Sequence, residues 1–219
     1  MGQMGIEIHY TIVFKGNIDS LSMMLERAID QFKKIGNLEI SAMMDTGVVK
    51  LKGDWLTIEE NELIVQKIAL QGGIEPIQAG FFFYVQQEKG IKQFQLVGFS
   101  SLFTGDCAGT GPFNLGFVNN FKNKSDVWRV HGSTKTEWAV DFVKAHTQVT
   151  VMIKILRYLG CEVFVDDEAG YWGKENLETL KESKMESEEA MKLFESLMKK
   201  QGMIVFNLNK QPGNNETGN

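Results

Sequence analysis

Hydrophobic period constrains this chain more than any motif does, and it switches repeatedly within the first third. Ile6, Ile8, Tyr10, Ile12 and Phe14 alternate with Glu7, His9, Thr11 and Val13, the pattern of a strand with one buried face. Leu21, Leu25, Ala28, Phe32 and Ile35 then recur at helical spacing, behind a cap expected at Asp19 or Ser20. Lys33 and Lys34 suit the helix end, and Gly36 stops it. Leu38, Ile40, Ala42 and Met44 alternate again, and Asp45-Thr46-Gly47 is read as the turn of a hairpin into residues 48–52. Thr57 with Glu60 makes a capping box, Gly72-Gly73 closes that helix, and residues 77–86 return to a strand-like run. Strand, helix, strand, strand, helix, strand is the ferredoxin-like order.

The remainder is less regular. A strand is expected over 91–99, followed by residues 100–125, where glycines and phenylalanines interleave without a period. Residues 127–131 form a short strand. Trp138, Phe142, Ala145, Val149, Met152, Leu156 and Leu159 then predict a long central helix over 136–159, ended by Gly160. Cys161, Val163 and Val165 share one face of a strand over 161–166. Two helices, one from about Lys174 and one capped by Ser183, and a strand over 203–208 complete the chain. The fold class expected is α+β: a ferredoxin-like βαββαβ half over 1–87, a second α+β half over 88–210, and a polar disordered tail over 211–219. Helices pack on antiparallel or mixed sheets that the two halves share or abut.

Charge narrows the partners. A formal net charge of −5 gives no general attraction to a phosphate backbone or an anionic membrane. Between Glu162 and Glu195 eleven acids stand against four lysines, the composition of a solvated helix face. The most apolar helical run, residues 149–159, is broken by Lys154 and Arg157 and is too short to span a bilayer. No basic segment precedes an apolar run at Met1, and Cys107 and Cys161 have no metal-ligand spacing. A soluble, cytoplasmic protein with reduced cysteines is expected, and homo-oligomerisation stays open.

Three places carry residues suited to chemistry. At the first, alternation sets Arg129 and His131 on one face of a strand and Trp128 and Val130 on the other. Thr134 with Glu137 reads as a capping box, so the long helix would begin there. Free N–H groups would meet Arg129, His131 and Lys135 in an anion site. At the second, the glycines of Gly105-Asp106-Cys107-Ala108-Gly109-Thr110-Gly111-Pro112 permit close backbone approach to a ligand. They match neither a P-loop nor a dinucleotide fingerprint. Cys107 is a candidate nucleophile if His131 lies near enough to act as its base. At the third, Asp166-Asp167-Glu168 offers oxygen ligands to a hard cation, although neighbours on a strand alternate faces. The bland readings are a capped helix, an aromatic-anchored loop and an acidic turn.

Asp45-Thr46-Gly47 occurs once, where a turn is needed, so the aspartic-protease triplet has a structural explanation. Three scattered histidines make no zinc site. His146, flanking the apolar stripe, reads as a structural histidine, and His9 as a lightly paired surface one. No complete catalytic or cofactor motif is present. The expectation is a ligand-binding or regulatory module for a small anionic ligand at Arg129, His131, Thr134 and Lys135. The alternatives are a small enzyme with His131 as acid or base, aided by Cys107 or Asp167, and a structural partner protein using the acidic helices.

Overall fold

A computed structural model describes residues 6–50, 93–119 and 126–200 of the chain. The helix expected after Thr57, the strands expected over 77–86 and 203–208, and the tail lie outside the described residues.

Alternation seats the first strand. β1 (Glu7–Lys15) turns Ile8, Tyr10, Ile12 and Phe14 into the core. α1 (Ile18–Ile35) follows and buries Leu21, Leu25, Ala28 and Phe32. Its cap is Asn17, whose side chain accepts a hydrogen bond from Ser20 N, rather than Asp19 or Ser20. Gly36 ends the helix at φ 81°, a left-handed conformation that glycine adopts without cost.

The hairpin expected around Asp45-Thr46-Gly47 does not form. β2 (Leu38–Ile40), β3 (Met44–Asp45) and β4 (Val49–Lys50) all pair antiparallel with β5 (Gln93–Phe103), in successive pieces along one of its edges. The turn chemistry is real, since Asp45 Oδ1 accepts from Gly47 N at 2.8 Å. It serves as a break between two short strands along β5, because β5 supplies the longer run of partners.

β5 runs on to Phe103 and β6 (Phe113–Asn119) returns beside it, so part of the stretch without a visible period is a strand pair. β7 (Val127–Lys135), α2 (Phe142–Tyr158), β8 (Glu162–Asp167) and α3 (Leu177–Lys200) follow. The sheet order is β2-β5-β6-β7-β1-β8, with every pairing antiparallel. The protein is α+β, with three α-helices among the described residues. The described strands do not form the ferredoxin-like order. Both edges of β1 are taken by β7 and β8, which leaves none for a strand of its own third. Strands from both parts of the chain therefore share one sheet.

α1 and α2 cover one face of that sheet and form a common core with it. α2 contributes Ala145, Val149, Met152, Ile153 and Leu156, all fully buried. The helix is shorter than its stripe implies, beginning at Phe142 with Asp141 as cap. Trp138 lies before it and is 58% exposed, so the stripe's first position is not core. α3 is tied on by a second, smaller cluster of Ile6, Phe142, Ala169, Tyr171 and Leu180. Among the described residues no helix is long and apolar enough to cross a membrane.

Candidate functional site

The face of β7, β1 and β8 that points away from the helices carries most of the unassigned polar chemistry. Pairing registers order it in rows across the three strands. Lys135 stands opposite Glu7, and Ser133, His9 and Asp166 form the next row. His131, Thr11 and Phe164 form another, then Arg129, Val13 and Glu162. Between the second and third rows lies the row of Gly132, Tyr10 and Val165, whose side chains, where present, turn toward the core. Bare backbone is left as a floor. The result is a groove of about 410 Å³, lined by His9, Tyr10, Thr11, His131, Gly132, Phe164, Val165 and Asp166.

Gly132 is needed on the opposite side. A Cβ there would lie 2.7 Å from the Tyr10 ring, which packs across the strand into the space the glycine leaves. Burial pushes the Tyr10 hydroxyl up to about 12 despite its hydrogen-bonding neighbours, so it stays a neutral donor to Asn114 O at 3.2 Å. Tyr10 belongs to the structure beneath the groove.

On the open side the groups differ in how far they are committed. His131 Nδ1 shares a 2.8 Å hydrogen bond with Thr11 Oγ1, which fixes the ring. Among the described residues its Nε2 has no partner, and neither Arg129 nor Asp166, both exposed, has a side-chain partner. Lys135 is engaged, with Nζ 3.8 Å from the buried Glu7 carboxylate and 4.3 Å from the centre of the Trp138 ring. Glu168 accepts from Glu7 N at 2.9 Å and lies 3.5 Å from His9 Nε2. Glu162 pairs with Lys15 at 2.6 Å. Phe164 is 62% exposed in the middle of β8.

Of the four residues expected to bind an anion, Arg129, His131 and Lys135 do share a face of β7. Thr134 does not. It points into the core, 1% exposed, and donates to Pro112 O. The helix N-terminus expected beside it is also absent, because β7 continues through Lys135 and Thr136 N donates to Ile6 O. Glu137, the other half of the supposed capping box, instead accepts from Ser187 Oγ on α3.

Cys107, His131 and Asp167 do not converge. Cys107 is fully buried, and its Sγ donates to Gln148 Oε1 at 3.0 Å. Burial, with Asp141 and Asp106 nearby, holds its thiol above the ordinary range against the pull of Lys144. Asp167 faces the core opposite Ile8, whereas His131 lies opposite Thr11 on the other side of the sheet. The glycine-rich loop does bring its backbone close to something, but that is the chain itself. Val140 N and Asp141 N donate to Ala108 O and Asp106 O, and a Cβ on Gly109 would lie 2.2 Å from Trp138 O.

The Asp166-Asp167-Glu168 run is split three ways, to the groove, the core and the Glu7 amide. Among the described residues no group of three or more His, Cys, Asp or Glu is arranged to hold a metal ion. Asp167 instead completes a buried polar chain. Thr136 Oγ1 is 2.9 Å from His146 Nδ1, and His146 Nε2 is 3.1 Å from Asp167 Oδ1, within ion-pair distance but too bent for a regular hydrogen bond. Burial alone would raise the Asp167 pKa. The His146 imidazole and the N–H groups of Trp172 and Ala169 outweigh it and hold the carboxyl below its ordinary value. The order resembles a hydroxyl–imidazole–carboxylate relay, but Thr136 and His146 are 0% exposed and Phe142 and Tyr171 pack against the imidazole. Enclosed in this way among the described residues, it is a structural tie joining the residue after β7, α2 and the end of β8.

Sequence reasoning missed His9, Asp166 and Phe164 as groove residues. Alternation along each strand places them on the correct faces, but nothing local tells which strands are neighbours. Comparison with known protein families, curated proteins and solved structures finds no match to this chain.

Proposed function

We propose that this protein is a small-ligand-binding module whose ligand lies in the groove across β7, β1 and β8, with an anionic group directed to Arg129 and His131. The observation that carries this reading is the pairing of a groove floor free of side chains with a wall whose imidazole is already oriented. Thr11 holds the His131 ring, and the uncommitted Nε2 stands beside Arg129 on the same strand face. A ring fixed before binding loses little freedom when it engages, which favours a ligand over bulk water. The volume is of the size that small-molecule sites usually have. Lys135 contributes to the local potential but is held by Glu7 and Trp138, and Thr134 plays no part.

Titration with acetate and inorganic phosphate, followed by backbone amide spectra, tests this. Shifts should centre on Arg129, His131 and Gly132 and be lost in Arg129→Gln and His131→Gln. Saturable shifts confined to other elements, or none at all, would remove the proposal.

A further inference from the structure

The groove has two chemically different ends. Resting on the anion-binding reading above, we infer that its ligand is zwitterionic, with a carboxylate at β7 and an amine at β8. The strand faces carry the separation. β7 presents Arg129, His131 and Lys135 to the open side, whereas β8 presents Glu162 and Asp166. β1 lies between them and mixes both signs.

Partners already made decide which of these charges remain for a ligand. Lys135 is taken by Glu7, and Glu162 by Lys15. Asp166 lines the groove, is exposed and has no side-chain partner among the described residues. It therefore stands as the acceptor at one end, with the Arg129 guanidinium as donor at the other beside the His131 Nε2, which donates too when Thr11 Oγ1 donates to Nδ1. A purely anionic ligand filling the groove would bring its remainder against the Asp166 carboxylate and gain nothing there. An amine at that end turns the same contact into a charge-assisted hydrogen bond. Phe164, between the ends on β8, offers an apolar surface to a methylene chain.

Spacing sets the length. Asp166 and His131 are two strands apart and one row offset, so their backbones are roughly 12 Å apart. A contact of about 2.8 Å at each end leaves about 6 Å between the ligand's charges. An amine and a carboxylate separated by four or five methylenes match this, and an α-amino acid without a charged side chain is too short.

Backbone amide titrations with 6-aminohexanoate, hexanoate, hexylamine and glycine test the inference. 6-Aminohexanoate should shift amides around both His131 and Asp166 and bind at least tenfold more tightly than each of the other three. In Asp166→Asn that advantage over hexanoate should vanish. Since Asp166 is exposed, the variant keeps its fold, and an unchanged thermal midpoint verifies this. Hexanoate binding as tightly as 6-aminohexanoate, or an advantage that survives Asp166→Asn, overturns the zwitterion and leaves the anion site standing. If none of the four probes moves a β7 or β8 amide, both readings fall.

Discussion

His146 and Asp167 meet 3.1 Å apart with side chains 0% and 2% exposed, so each depends on the other for its place in the core. Removing the carboxylate leaves the buried imidazole and the N–H groups of Ala169 and Trp172 without the partner they share. Asp167→Ala should cost roughly 2–5 kcal/mol, since several buried groups lose a partner at about 1–3 kcal/mol each. Denaturant unfolding of the variant measures it, and a loss under about 1 kcal/mol would show that the pair contributes little.

The same pair sets a sign for the pH dependence. Asp167 has a folded pKa below its ordinary 3.8. Its stabilisation is therefore complete above the unfolded value and disappears as pH falls through the folded one. Stability measured below about pH 4 should fall less steeply in Asp167→Asn than in the wild type. An identical acid limb would assign the depression to other carboxylates.

Both thiols should be slow. Cys107 is 0% and Cys161 5% exposed, and burial pushes the Cys161 thiol up to about 12. Burial also raises the Cys107 thiol. Under native conditions modification of each should follow opening of the structure and accelerate with denaturant. Immediate labelling of Cys107 would contradict its contact with Gln148.

In α2, Met152→Ala or Leu156→Ala should cost roughly 2–5 kcal/mol, because each empties a fully buried position. Val151, 40% exposed on the same helix, should tolerate Ala at a cost below about 1 kcal/mol. Equal effects at the buried and exposed positions would mean that the helix is rotated.

Gly132→Ala places a methyl group within 2.7 Å of the Tyr10 ring and should destabilise by about 1–3 kcal/mol through overpacking. Tyr10→Leu in the same chain should recover part of that loss, since the ring is what the methyl meets. A double-mutant cycle with no coupling would place the ring elsewhere.

What the residues decide by themselves is which way they face. Strict alternation assigns Trp128 and Val130 to the core and Arg129 and His131 to the open side. It does the same for Val163 and Val165 against Phe164 and Asp166, because side chains on a strand alternate whatever the strand pairs with. Gly36 and Gly160 end their helices where expected, since a positive φ is a local matter. Tertiary structure decided the rest. Thr134-Lys135-Thr136-Glu137 reads as a helix cap, a device worth about 1 kcal/mol, yet Thr134 and Lys135 pair with Ile8 and Glu7 instead. A ladder of backbone hydrogen bonds with a strand more than a hundred residues away outweighs one cap. Neither spacing nor composition records that partner. The groove owes its existence to the same cause, for His9, His131 and Asp166 become neighbours only when β1 inserts between β7 and β8.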